Sequence, residues 1–497
     1  MKVYLDESPP ASGKTFRAIQ SITETKCKTL FITERVDRFN ELERDMRRAA
    51  LGFGTNPTFR KVHSNPEDRG NSVSRKIERL PEDYANYDHV IVLATHAAML
   101  RSDFSRFAGW QIIVDEVPQF LDFEEKRTHL DEPFFQKYYL LEPFEDGWSA
   151  VTLSKAGKKL SVADVRADDS HHHLAVFHAR VIEASRPEPV RFVLCNLKNW
   201  EDMKSSKVTW SWASTFSLWE LEAFDRVVLL GNRFRSDIGS ILSQTLSVQS
   251  IEWEELPTLT YSQNFLQRPV HIHYFSESRR SSRCCFNSAD GQIMLRKIGA
   301  YLSNALPQGQ YIWTANNPTD GKSDMTPKDA MVAAGLPEKY YLPPRQAGTN
   351  QHLSNSYAAM IYSAKPAPRL IALLKMLNVP VDLWTASVEH EAILQFVSRT
   401  SVRHSGNSSP VHLWVFDREQ AQYLKDHFDS LDYVCATMQL VDDGPDIPVQ
   451  GKRGPKAAVR TAEEEAEFLA AKRRKDAERK RRSRAKKKKV ELMRKAA

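Results

Sequence analysis

Apolar positions in the first 135 residues gather into short runs, KVYL, TLFIT, HVIVLAT and WQIIV, separated by the helically spaced stretches TFRAIQSITET and RFNELERDMRRA. That alternation predicts a parallel sheet wrapped by helices over residues 1–135. From 136 to 225 the pattern turns irregular and aromatic-rich, which predicts an insertion or accessory subdomain. The run FDRVVLLGN then predicts a further strand, so residues 226–265 read as the end of the first lobe and a linker. Strand-like runs return as VHIHYF, QYIWTA, AAMIYS and VHLWVFD, and predict a second α/β lobe over 266–440. Gly444, Pro445, Pro448, Gly451, Gly454 and Pro455 mark a flexible linker over 441–460. Beyond it, Thr461 and Glu464 have the spacing of a capping box, and no Gly or Pro follows, so 461–497 reads as one charged helix.

Charge sharpens this division. The 497 residues carry a net charge of +7, yet the stretch from Gly451 onward holds 19 Lys+Arg against 7 Asp+Glu, leaving a mildly acidic body and a strongly basic tail. Such asymmetry points to a polyanionic partner. Within the tail, Lys472, Arg473, Arg474, Arg479, Lys480, Arg481, Arg482 and Arg484 are the candidate phosphate contacts. No run approaches the roughly 20 apolar residues of a membrane helix and the N-terminus lacks a signal-peptide layout, so a cytosolic protein without membrane contact is expected. The five cysteines are spaced for neither a zinc knuckle nor a CxxC pair, and are expected to be reduced structural thiols.

Two segments carry chemistry. Ser8-Pro9-Pro10-Ala11-Ser12-Gly13-Lys14-Thr15 follows a strand and opens a helix, as a phosphate-binding loop must. Backbone N–H groups from Ser12 onward can cradle phosphate, Gly13 lets the chain approach closely, Lys14 supplies charge, and the Thr15 hydroxyl can reach Mg²⁺. Ser8 departs from the glycine usual at the first position. Downstream, Asp115 and Glu116 end the run WQIIV, where one carboxylate can hold a metal and the next can act on water.

With these motifs in this order the chain resembles the superfamily 2 helicases, whose first motif reads A-x-x-G-S-G-K-T and whose second reads D-E-x-x. Thr33-Glu34-Arg35 is similar to the strand-end motif after the first helix. Ala94-Thr95-His96 is similar to the motif whose threonine contacts nucleic-acid backbone, and Leu230-Gly231-Asn232-Arg233 to a degenerate third motif. In the second half, Ala347-Gly348-Thr349-Asn350 resembles the fifth motif, and the stretch from Gln395 to Arg403 the sixth, with Ser398 in place of glycine and Arg403 one position late. The resemblance implies two RecA-like lobes with ATP and Mg²⁺ between them. It further implies Arg399 and Arg403 as arginine fingers, Thr95 on nucleic acid, and DNA in preference to RNA as partner, with replication proteins as further ones. The compact N-terminus resembles helicases encoded by phages, plasmids and other mobile elements.

Two other readings stay open: a terminase-type packaging ATPase with a nuclease second half, and a catalytically inactive P-loop scaffold holding DNA through its tail. His171, His172 and His173 read as a surface loop, and Trp210, Trp212 and Trp219 as core.

Overall fold

The computed structural model describes residues 1–447, apart from 10–11, 65–71, 127–131, 146, 187–190, 205–208, 233, 246–249, 258–264, 318–324, 345–350, 443 and 446. The basic tail with its capping box, its candidate contacts from Lys472 to Arg484, and the motif Ala347–Asn350 therefore lie outside the described residues.

The first lobe is a seven-stranded, wholly parallel sheet. Its strands are β1 (Lys2–Asp6), β2 (Lys28–Thr33), β3 (Thr58–Lys61), β4 (Val90–Thr95) and β5 (Trp110–Asp115), joined from further along the chain by β11 (Arg226–Leu230) and β12 (Glu252–Glu255). The order is β12-β1-β11-β5-β2-β4-β3. The central strands are apolar on both faces, as a sheet covered on both sides requires. Phe31, Ile91 and Ile113 pack beneath helices α1 (Lys14–Glu24) and α2 (Phe39–Phe53), and Leu30, Ile32 and Ile112 pack on the opposite face with Phe104, Phe107 and Trp219. The edge strands β3 and β12 are short and polar, which discourages pairing with another chain.

Between β5 and β11 the chain builds a five-stranded antiparallel sheet from β6 (Leu121–Lys126), β7 (Tyr139–Pro143), β8 (Ser149–Leu153), β9 (Val193–Cys195) and β10 (Trp210–Thr215), in the order β6-β10-β9-β8-β7. The boundary expected at residue 135 falls inside this sheet, because β6 follows Asp115 and Glu116 almost at once and pairs with β10. Trp210, Trp212 and Trp219 are core residues.

The second lobe is a five-stranded parallel sheet of β13 (Arg268–Ser276), β14 (Tyr311–Ala315), β15 (Tyr357–Ile361), β16 (Val411–Asp417) and β17 (Val434–Leu440), ordered β14-β15-β16-β13-β17. The chain is thus an α/β protein of two parallel lobes with an insertion in the first. No single helix among the described residues is long and apolar enough to cross a membrane.

Candidate nucleotide site between the lobes

The loop after β1 is locked from its own flanks. Asp6, 4% exposed at the end of β1, accepts from the Ser8 backbone N–H (3.1 Å) and hydroxyl (2.5 Å). Arg17 on α1 donates to Asp6 Oδ2 and to the Ser12 carbonyl, both at 2.6 Å. Gly13 caps the helix with φ 81°, a left-handed conformation open to glycine at little cost. The Lys14 ammonium donates to the carbonyls of Ser8 and, at 3.1 Å, of Pro9. Burial lowers its pKa, opposed by the facing carboxylates of Asp6, Asp115 and Glu391. The Thr15 hydroxyl donates to Asp115 Oδ1 at 2.9 Å, so the two sequence motifs meet across 100 residues of chain.

Asp115 is 2% exposed, and burial together with the charge of Glu116 pushes its carboxyl up to about 6, opposed by Arg38. Its Oδ2 has no hydrogen-bond partner among the described residues, and the Arg38 guanidinium stands 3.5 Å away. His96 Nε2–H donates to the Asp115 carbonyl (2.9 Å), and burial pushes its pKa down to about 4, so the ring is neutral. Glu116 takes a left-handed backbone, φ 59°, with its N–H bonded to the Leu230 carbonyl. A side chain held there is strained, and strain of this kind gathers where function over-determines the backbone.

The second lobe completes the site. Arg399, 3% exposed, follows the helix Glu391–Val397, and Arg403 ends the next turn. Burial pushes the Arg399 guanidinium down to about 10 and lowers that of Arg403, and the Glu116 carboxylate opposes both shifts. Ser12, Gly13, Lys14, Thr15, Asp115, Glu116, Arg399 and Arg403 all line one cavity of about 830 Å³. That volume lies in the roughly 300–1,000 Å³ range of small-molecule sites.

Among the described residues, five buried atoms of its lining lack hydrogen-bond partners: Ser12 Oγ, Arg38 Nε, Asp115 Oδ2, Arg399 Nη1 and Arg403 Nε. A buried orphan costs about 1–3 kcal/mol, so such a concentration is explained by a ligand that satisfies it. Four donors and one carboxylate oxygen fit a polyanion carrying a divalent cation, the oxygen and the Thr15 hydroxyl being the groups suited to Mg²⁺.

Thr95 is placed elsewhere. It caps the short helix His96–Met99 by accepting from the Ala98 N–H, and is not among the cavity residues, whereas His96 is. Of the degenerate third motif, Asn232 lines the cavity and donates to Glu391 Oε2 of the second lobe at 3.2 Å, while Arg233 lies outside the described residues. Sequence reasoning missed Asp6, Arg17, Arg38 and Glu391. The one available signal was Asp6 standing at the end of the strand that feeds the loop.

No protein-family model matches the chain, and no curated protein matches it in sequence. Among solved structures the chain is similar to one titled XPD_Helicase, with 11% identity and a TM-score of 0.49, covering 88% of this chain and 96% of that one. It is also similar to Xpd4 of S. tokodaii (10% identity, TM-score 0.45, 88% and 96% covered). A third is S. cerevisiae Dbp5 bound to RNA and ADP BeF3 (10% identity, TM-score 0.36, 89% and 86% covered).

Proposed function

We propose that the chain is an ATP-driven nucleic-acid helicase or translocase. The observation that carries this reading is the set of unpaired guanidinium nitrogens of Arg38, Arg399 and Arg403 around the cavity that holds Lys14, Thr15 and Asp115. Bound ATP with Mg²⁺ supplies a phosphoanhydride and the charge neutralisation its hydrolysis needs. Gly13 and the α1 N-terminus receive phosphate, and Lys14 exchanges its loop carbonyls for it. Thr15 and Asp115 would hold the cation. Glu116 orients and deprotonates the attacking water, a role its held backbone suits. Arg399 and Arg403 reach in from the second lobe, so the state of the phosphates sets how firmly the lobes close. The motif resemblance carries forward DNA as partner, contacts through Thr95 and the basic tail, and a setting in replication or recombination of a phage or mobile element.

The packaging-motor alternative needs free carboxylates at strand ends in the second lobe. Asp417, which ends β16, accepts from Ser281 and Gln420 backbone N–H groups and faces Lys365, so it is already engaged. The inactive-scaffold alternative is tested with the main reading, by measuring ATP hydrolysis with and without single-stranded DNA. Wild-type protein should hydrolyse ATP faster with DNA, and Glu116→Gln should bind ATP but turn it over slowly. Absence of any hydrolysis by the wild type would leave the scaffold.

A further inference from the structure

Two arginines of the first lobe pair with buried aspartates, and they are held in opposite ways. Arg17 is locked, with 2.6 Å hydrogen bonds to Asp6 Oδ2 and to the Ser12 carbonyl. Arg38 ends the turn Val36–Arg38 that leads into α2, where the buried Phe39 and Leu42 anchor the backbone. Its guanidinium forms an ion pair with Asp115 Oδ2 at 3.5 Å but makes no hydrogen bond among the described residues, and its Nε is buried without a partner. A guanidinium carries five N–H donors, so Arg38 lends charge to Asp115 while its hydrogen-bonding capacity stays unspent.

Asp115 needs that charge, because a buried carboxylate is costly without a counter-ion. Thr15 supplies it a hydroxyl and no charge, and the Lys14 ammonium is turned to the carbonyls of Ser8 and Pro9. Among the described residues, Arg38 is the cation in ion-pair contact with it. Arg38 also stands close enough to Arg403 of the second lobe for the two guanidiniums to repel. Like charges facing one another in a buried cleft are relieved by an anion between them.

The oxygen that Arg38 faces is the one suited to Mg²⁺, so guanidinium and metal compete for it. A free divalent cation arriving at Asp115 meets a positive charge with no anion to move to, and repulsion opposes its entry. A metal–triphosphate complex brings that anion. The guanidinium can then leave the carboxylate for phosphate oxygens, which suit its planar fork, and the cation takes its place.

We propose that Arg38 is a placeholder for the divalent cation: it neutralises Asp115 until a metal–triphosphate complex binds, then transfers to the phosphates, so that the site selects the complex over the free metal ion. This inference rests on the nucleotide-site reading given above.

The test uses full-length protein and two probes. Mn²⁺ alone is followed through its free-ion electron paramagnetic resonance signal, and inorganic tripolyphosphate in a metal chelator is followed by calorimetry. Arg38→Met keeps the stem and removes the charge. It should bind free Mn²⁺ roughly 10- to 100-fold more tightly than wild type, and tripolyphosphate roughly 10- to 100-fold less tightly. Thermal melts establish that it is folded, and Mn²⁺ should raise its midpoint more than that of wild type, which a merely structural arginine does not predict. Arg38→Gln should behave alike and serves as the second uncharged variant. Adding Asp115→Asn should abolish the Mn²⁺ gain, and Arg38→Lys, which keeps the charge, should not show it. Arg399→Met removes a charge from the same cavity but from a residue with no ion pair to Asp115. It should weaken tripolyphosphate yet change free Mn²⁺ binding less than about threefold. Folded Arg38→Met or Arg38→Gln that binds Mn²⁺ no better than wild type would overturn the proposal, and so would an equal gain in Arg399→Met. If wild type binds neither tripolyphosphate nor Mn²⁺ with ATP, the nucleotide-site reading falls and the placeholder with it.

Discussion

Two aspartates close parallel strands, one in each lobe, Asp115 at the end of β5 and Asp417 at the end of β16, and both are 2% exposed. Asp417 is fully engaged. Its Oδ1 caps the following helix through the Gln420 N–H (3.0 Å), and its Oδ2 accepts from the Ser281 N–H (2.7 Å) and faces Lys365 (3.4 Å). Lys365 also donates to Glu389, which is 0% exposed and receives the Gln420 amide and the Ala364 N–H. Asp115 has one hydroxyl donor, a more distant guanidinium and an unpaired oxygen. Burial alone therefore does not tell a working carboxylate from a structural one. The balance of partners does, because a buried group left short of hydrogen bonds persists only where a ligand completes it.

Substitution in the loop after β1 should have the greatest effect. Lys14→Ala should lower ATP hydrolysis at least about 100-fold with little change in thermal midpoint, since the ammonium faces the cavity and not the core. Hydrolysis at the wild-type rate would remove the loop assignment. Lys365→Met is the complementary experiment in the second lobe. It strands Glu389 and Asp417 without their cation and should cost about 3–5 kcal/mol in thermal or urea unfolding. If it proves neutral, the satisfied network is not structural. Arg399→Ala should lower turnover roughly 100-fold, and Arg403→Ala less, because Arg399 keeps the spacing of the arginine motif that this segment resembles. Steady-state rates equal to wild type in both would detach the second lobe from the chemistry.

Smaller effects refine the picture. Glu116→Gly should raise stability by about 1 kcal/mol, by relieving the left-handed backbone, while hydrolysis is lost. A drop in thermal midpoint would mean that the glutamate is held for the fold. The smallest effect concerns His273 on β13, whose folded pKa of about 4 lies below the ordinary 6.5 because the ring is partly buried. The unfolded chain therefore protonates first, and this contribution to stability is whole above pH 6.5 and is lost as pH falls toward 4. Burial also lowers the neighbouring His412, so His273→Gln should remove only part of the acid sensitivity, and urea titrations at pH 7 and 5 would show it.

What the sequence disclosed follows from how locally each feature is written. The central strands were legible because a sheet covered on both faces needs unbroken apolar runs, as in Leu30–Ile32 and Ile91–Leu93. The edge strands Thr58–Lys61 and Glu252–Glu255 were not, since their polar composition carries no period. Lys14, Thr15, Asp115 and Glu116 were legible because each motif is contiguous. Arg38 and Glu391 acquire their meaning only where α2's approach and the second lobe bring them against Asp115 and Lys14. No spacing records that. The early start of the antiparallel sheet was hidden for the same reason, since Leu121–Lys126 becomes a strand through pairing with Trp210–Thr215.

The Asn232–Glu391 hydrogen bond spans the cleft at 3.2 Å, and it joins a neutral amide to a carboxylate. A bond of that kind contributes about 1.5–3 kcal/mol at most in a protein, and less at a wet cleft. Open and closed cleft populations should thus differ through this link by no more than roughly 10- to 100-fold. A ligand preferring the closed form by a few hundredfold would add to this link and outweigh it, and without that ligand the link alone would leave the cleft free to open thermally. A latch of that strength is weak enough for a few contacts from a bound ligand to decide the state of the cleft.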